Sequence, residues 1–115
     1  MGNVRRYHGM KRGDVYWVNF DPQIGSEIKK TRPAVVVGAD VVNANRRTVL
    51  VMPLTAAHTE TLWPVMIGVK AMGPACAVID QVKACDKARF QKRIGKLTPA
   101  EMTEIDTALR AVFAL

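Results

Sequence analysis

The sequence predicts a mainly β domain with one helix: a small antiparallel β-barrel with a C-terminal helix packed against it. Three observations lead there. Short apolar runs rich in valine and aromatic residues alternate with Gly/Pro turns, residues 98–113 carry a helical period, and the 115 residues suffice for one domain with a single core.

The elements follow in order. Residues 14–20, Asp-Val-Tyr-Trp-Val-Asn-Phe, are aromatic and β-branched and form a first strand. Asp21-Pro22 stops it, and residues 23–31 place Gly25 among polar and charged neighbours. That loop is longer than a tight hairpin needs, and loops of this kind tend to carry function. Residues 32–38 form an apolar run containing Val35, Val36 and Val37, the pattern of a central strand covered on both faces. Asn43 to Arg47 reads as a turn, and residues 48–52 as a third strand, interrupted at Pro53 and continued by Leu54 and Thr55.

Residues 56–61 make a second polar loop, and residues 63–69 a strand with Val65, Ile67 and Val69 on one face. After the Gly73-Pro74 turn, residues 75–86 are one long strand or two short ones; their polar residues fall on both parities, so no buried face is assigned. The basic stretch 87–96 has room for a short helix. In the last segment Thr98, Pro99 and Glu101 supply an N-cap, a first-turn proline and a capping box. Met102, Ile105, Leu109, Val112 and Phe113 then recur at spacings that put them on one helix face.

The formal charge is +7 and the apolar fraction 49%, with an isoelectric point near 9.9. Residues 98–115 hold Arg110 against Glu101, Glu104 and Asp106, so residues 1–97 carry +9. A polyanion is therefore the first partner to consider, although a solvated cationic face would look the same. Cys76 and Cys85 sit in apolar contexts without metal-ligand spacing and read as buried thiols of a reducing compartment. No apolar run is long enough for a membrane span, no signal core opens the chain, and the expected location is the cytoplasm.

The most informative stretch is Arg12-Gly13-Asp14 through Trp17, Asp21-Pro22, Gly25-Ser26-Glu27 and Arg32-Pro33-Ala34-Val35-Val36-Val37. In this order it resembles the opening of the MazF/PemK toxin family, and the resemblance extends from Arg12 to Leu115. It implies an SH3-like barrel shared with CcdB toxins, residues 12–115 as the toxin domain and residues 1–11 as an N-terminal extension. It also implies a homodimer that cleaves single-stranded RNA without metal or cofactor, and a cognate antitoxin whose acidic, disordered tail covers the groove.

Cleavage without metal uses the substrate's 2′-hydroxyl as nucleophile. The protein must help remove its proton, stabilise charge on the phosphorane oxygens and protonate the departing 5′-oxygen. Arg32 matches the family's arginine, and its guanidinium suits a bidentate clamp on two phosphate oxygens. A proton-transfer role suits it less, because its pKa exceeds about 12. Thr55, in Met52-Pro53-Leu54-Thr55, matches the family's neighbouring hydroxyl. Ser26 and Glu27 match the loop that lies over RNA, with Lys29 and Lys30 beside them, and Gln81 and Lys83 fall in the matching Asp80-Gln81-Val82-Lys83. His58 is either a loop histidine in solvent or a general base; Trp17 is core, dimer interface or, if exposed, a base-stacking surface. Two other readings remain at this point: a CcdB-like toxin that binds DNA gyrase, and an RNA-binding barrel that does not cleave.

Overall fold

The computed structural model describes residues 9–21 and 30–115. Among these residues are seven strands and two α-helices: β1 (Asp14–Asn19), β2 (Thr31–Val36), α1 (Asp40–Asn45), β3 (Thr48–Thr55), β4 (Met66–Val69), β5 (Ala75–Val78), β6 (Lys83–Asp86), β7 (Phe90–Lys96) and α2 (Pro99–Phe113). The antiparallel sheet runs β4-β5-β3-β2-β1-β7, and β6 pairs with the first half of β3, on the edge that β5 takes further along. It does not close into the expected barrel, since β4 and β7 lie at opposite ends of the order.

Alternation along the three middle strands divides the interior into two clusters, where the sequence suggested one core. Val15, Val35, Met52 and Leu54 point to the side covered by Ile67, Ile79 and the α2 residues Met102, Ile105 and Ala108. Tyr16, Val18, Ala34, Val36, Val49 and Val51 point to the other side, with Met10, Phe20 and Cys85. Burial on both faces is why residues 34–38 carry no polar side chain. At Pro53 the outer edge of β3 passes from β6, which pairs with Thr48 to Val51, to β5, which pairs with Leu54 and Thr55. A residue without an N–H fits that handover.

α2 begins as its local sequence requires. The Thr98 hydroxyl accepts from Glu101 N at 3.1 Å, and Glu101 Oε1 accepts from Thr98 N at 2.9 Å. Glu101 Oε2 also accepts from Lys70 N at 2.7 Å, tying the cap to the end of β4. Before β1, Lys11 N donates to Asp14 Oδ2 at 3.0 Å and Gly13 holds a φ of +96° that only glycine adopts easily. Arg12 joins three elements there: its N–H donates to Asp40 Oδ1 of α1, its Nε to Val37 O, and its guanidinium pairs with Asp106 of α2.

The structure defines three segments more finely than the sequence does. The turn at residues 43–47 is preceded by and partly included in α1, which Asp40 and the buried Asn43 hold in place; Asn43 Nδ2 donates to Gly38 O at 3.0 Å. Residues 75–86 are two strands separated by a 3₁₀ turn, Ile79–Gln81. In the basic stretch the helix is a single 3₁₀ turn, Lys87–Arg89, and the rest is β7, an edge strand hydrogen-bonded to β1. Its lysines and arginine suit an edge, where charge discourages pairing with other chains.

Candidate active site

The foot of the β1–β2 loop is closed by its own hydrogen bonds. Phe20 N donates to Lys30 O at 2.8 Å, Lys30 N to Asp21 Oδ1 at 2.6 Å, and Asp21 N to Asn19 Oδ1 at 2.9 Å. Arg89 reaches across from the 3₁₀ turn before β7 and donates to Asn19 O at 3.1 Å and to Asp21 O. Lys30 takes a φ of +65°, an uncommon conformation for a side-chain-bearing residue, which this network holds. Ser26, Glu27 and Lys29 lie outside the described residues.

Arg32 is the second residue of β2, exposed, opposite Val18 of β1. Thr55 ends β3, half-buried, opposite Cys76 of β5. The β2–β3 register pairs Ala34 with Pro53 and Val35 with Met52. Continued by two residues, the same register sets Arg32 against Thr55, and cross-strand partners present their side chains on one face. Thr55 Oγ1 accepts from Ala57 N at 3.2 Å. That bond uses an oxygen lone pair and leaves the hydroxyl hydrogen to donate elsewhere.

The loop after Thr55 is packed down behind it. Cys76 Sγ donates to Glu60 O at 3.3 Å, and Gly68 N donates to Thr61 Oγ1 at 3.0 Å. A Cβ at Gly68 would meet Thr59 O at 3.2 Å, so a glycine permits this close approach. His58 is exposed on this loop.

Gln81 closes the 3₁₀ turn before β6, and the β6–β3 register, which pairs Lys83 with Val51, brings the chain at Gln81 alongside Pro53. Lys83 is exposed, with its Nζ 6.0 Å from the centre of the Phe20 ring. By register Arg32, Thr55 and Lys83 fall on one face of the sheet, and Gln81 belongs to the neighbouring segment that leads into β6.

The basic cluster at residues 83–96 is less available than its charge suggests. Lys87 is 2% exposed and donates to Asn43 O, and burial, with Arg47 nearby, lowers its pKa. Arg93 pairs with the buried Asp14 at 3.0 Å, and Arg89 serves the loop foot. Both cysteines are buried, and burial raises both thiol pKa values; at Cys85 the charges of Lys83 and Arg89 work against that. Among the described residues no group of three or more His, Cys, Asp and Glu could hold a metal ion.

A groove of about 440 Å³ adjoins Arg32, walled by Trp17, Pro33, Leu54, Val69, Met72 and Pro74. Sequence reasoning did not find it. Trp17 is 36% exposed, which excludes a core position, and Met72 is 40% exposed. The residues come from β1, β2, β3, β4 and the turn before β5, so no local pattern announces them.

A profile described as the PemK-like, MazF-like toxin of type II toxin–antitoxin systems matches residues 11–113. Endoribonuclease EndoA of Bacillus subtilis (strain 168) is 32% identical, covering 92% of this chain and 96% of that protein. Endoribonuclease MazF9 of Mycobacterium tuberculosis is 31% identical, covering 88% and 93%. Among solved structures, MazF from Deinococcus radiodurans superposes with a TM-score of 0.80 at 20% identity, covering 91% of this chain and 96% of that one. A mycobacterial endoribonuclease in complex with its cognate antitoxin superposes at 0.76 with 22% identity, covering 91% and 95%.

Fold and relatives together define a type II toxin of the endoribonuclease class. The chain belongs to the PemK-like, MazF-like toxin family, and neither gyrase binding nor RNA binding without cleavage is favoured.

Proposed function

We propose that the protein cleaves single-stranded RNA at a short sequence, without a metal and without the ribosome, through attack of the substrate's 2′-hydroxyl on the adjacent phosphorus. The P–O5′ bond breaks, leaving a 2′,3′-cyclic phosphate on one fragment and a 5′-hydroxyl on the other. Arg32 clamps the non-bridging oxygens as charge builds on them, and Thr55 donates a hydrogen bond to the same phosphate. Ser26, Glu27, Lys29, Lys30, Gln81 and Lys83 contact the RNA on either side. The observation that supports this best is the β2–β3 register, which runs Arg32 toward Thr55.

The working unit in this reading is a cytoplasmic homodimer, held inactive by an antitoxin with an acidic, disordered tail. Two findings favour that setting: the net charge of +7, and the solved relative in complex with its cognate antitoxin. Among the described residues no helix is long and apolar enough to cross a membrane.

Incubation of the purified protein with a long RNA in EDTA tests the reaction. Discrete cuts ending in cyclic phosphate are expected. Intact RNA, or cleavage that appears only after a divalent cation is added, overturns the proposal.

A further inference from the structure

We infer that the groove beside Arg32 is a subsite for one unpaired nucleobase of the RNA, with the Trp17 indole as its stacking surface. The inference rests on the ribonuclease reading and adds to it a place where a base is held.

Trp17 and Pro33 are cross-strand partners, so their side chains lie together on one face of the β1–β2 pair. Leu54, Val69 and Met72 complete an apolar trough under the indole. Arg32 is the next residue along β2. Alternation turns it to the opposite face from Pro33, yet it still borders the groove. A nucleotide straddling the start of β2 would set its base against Trp17 and its phosphate against the guanidinium.

Three considerations favour this occupant. An aromatic ring with exposed surface beside a phosphate-binding cation is the recurring arrangement for unpaired nucleic acid, because every base has a face to stack. The volume of about 440 Å³ is at the lower end of small-ligand sites, about 300–1,000 Å³, a scale suited to one nucleoside. Finally, Arg32 and Thr31 at the rim are polar, so the groove is amphiphilic in the way a nucleotide is.

The chain has two tryptophans, so Trp63→Phe leaves Trp17 as the sole indole reporter. The probes are a short RNA carrying 2′-deoxyribose at the scissile nucleotide, which removes the nucleophile, and a set of the same RNA with one base deleted at each position. Binding should quench Trp17 fluorescence, and deletion of one particular base should abolish the quenching. Trp17→Ala should weaken binding of the intact RNA by about 5- to 150-fold, but weaken the RNA lacking that base hardly at all. Trp17→Phe should retain most of the affinity and shows that the site tolerates replacement.

Equal losses on intact and base-deleted RNA, or no loss, overturn the inference. So does a Trp17→Ala protein that cleaves RNA normally but falls apart to monomers, or one that only loses inhibition by the antitoxin; the groove would then belong to a protein contact. Absence of cleavage by the unaltered protein would count against the ribonuclease reading instead, and the fluorescence titration reports on the groove independently of it.

Discussion

At the level of single residues, the proposed reaction divides its chemistry unequally between Arg32 and Thr55. The guanidinium brings permanent charge and a fixed fork of donors, and the hydroxyl brings one donor held by its bond from Ala57 N. Arg32→Ala should therefore lower single-turnover cleavage by about 10²–10³-fold, the usual cost of one donor to a developing oxyanion. Circular dichroism and thermal unfolding should stay unchanged, because the side chain is exposed. Arg32→Lys should recover only part of the rate, since an ammonium restores charge but not the bidentate geometry. An Arg32→Ala protein that cuts at the normal rate removes Arg32 from the mechanism.

Among the elements, α2 offers the sharpest test of local reasoning. Burial raises the Glu101 pKa, but the N–H donors of Thr98 and Lys70, the Thr98 side chain and the Lys70 charge outweigh it, and the net shift is downward from 4.5. A depressed carboxylate stabilises the fold above its unfolded pKa, and that contribution is lost as pH falls through the folded value. Urea titrations should thus show wild type more stable than Glu101→Gln at pH 7, with the gap closing below about pH 4. Thr98→Ala should cost about 0.5–2 kcal/mol at neutral pH. A gap that does not narrow as the pH falls below the ordinary carboxylate range would show that the carboxylate's charge is not what matters.

Elements such as α2 were readable in the sequence because their signals are local: Thr98, Pro99 and Glu101 are adjacent, and Met102, Ile105 and Leu109 repeat at the helical period. α1 was not, because Val41, Val42 and two asparagines are poor helix formers and its supports, Arg12 N and Gly38 O, come from outside it. β7 was hidden by its charge, and only pairing with β1 makes it a strand. For the candidate site, motif order singled out Arg32 and Thr55, but their relation depends on a register between strands that no single segment encodes.

For the molecule as a whole, the net charge of +7 sets how it meets a polyanion. Binding of an uncleavable single strand should weaken linearly in log salt, by about 0.7 per neutralised phosphate. Lys83→Ala should flatten that slope by about one such increment, whereas a substitution at Lys87 should not, because Lys87 is enclosed by its own fold. An unchanged slope for Lys83→Ala would remove it from the RNA path. The distribution of charge matters more than its sum, since Arg12, Arg89 and Arg93 are engaged in holding the fold together.

The closed foot of the β1–β2 loop separates two kinds of evolutionary freedom. Because Phe20, Asp21, Lys30 and Arg89 lock the base with bonds made among themselves and to Asn19, replacing the eight positions between 21 and 30 as a block should leave the sheet's register unchanged. On the proposed reading, in which this loop contacts RNA, one scaffold would then diversify which transcripts it cuts by trading inserts.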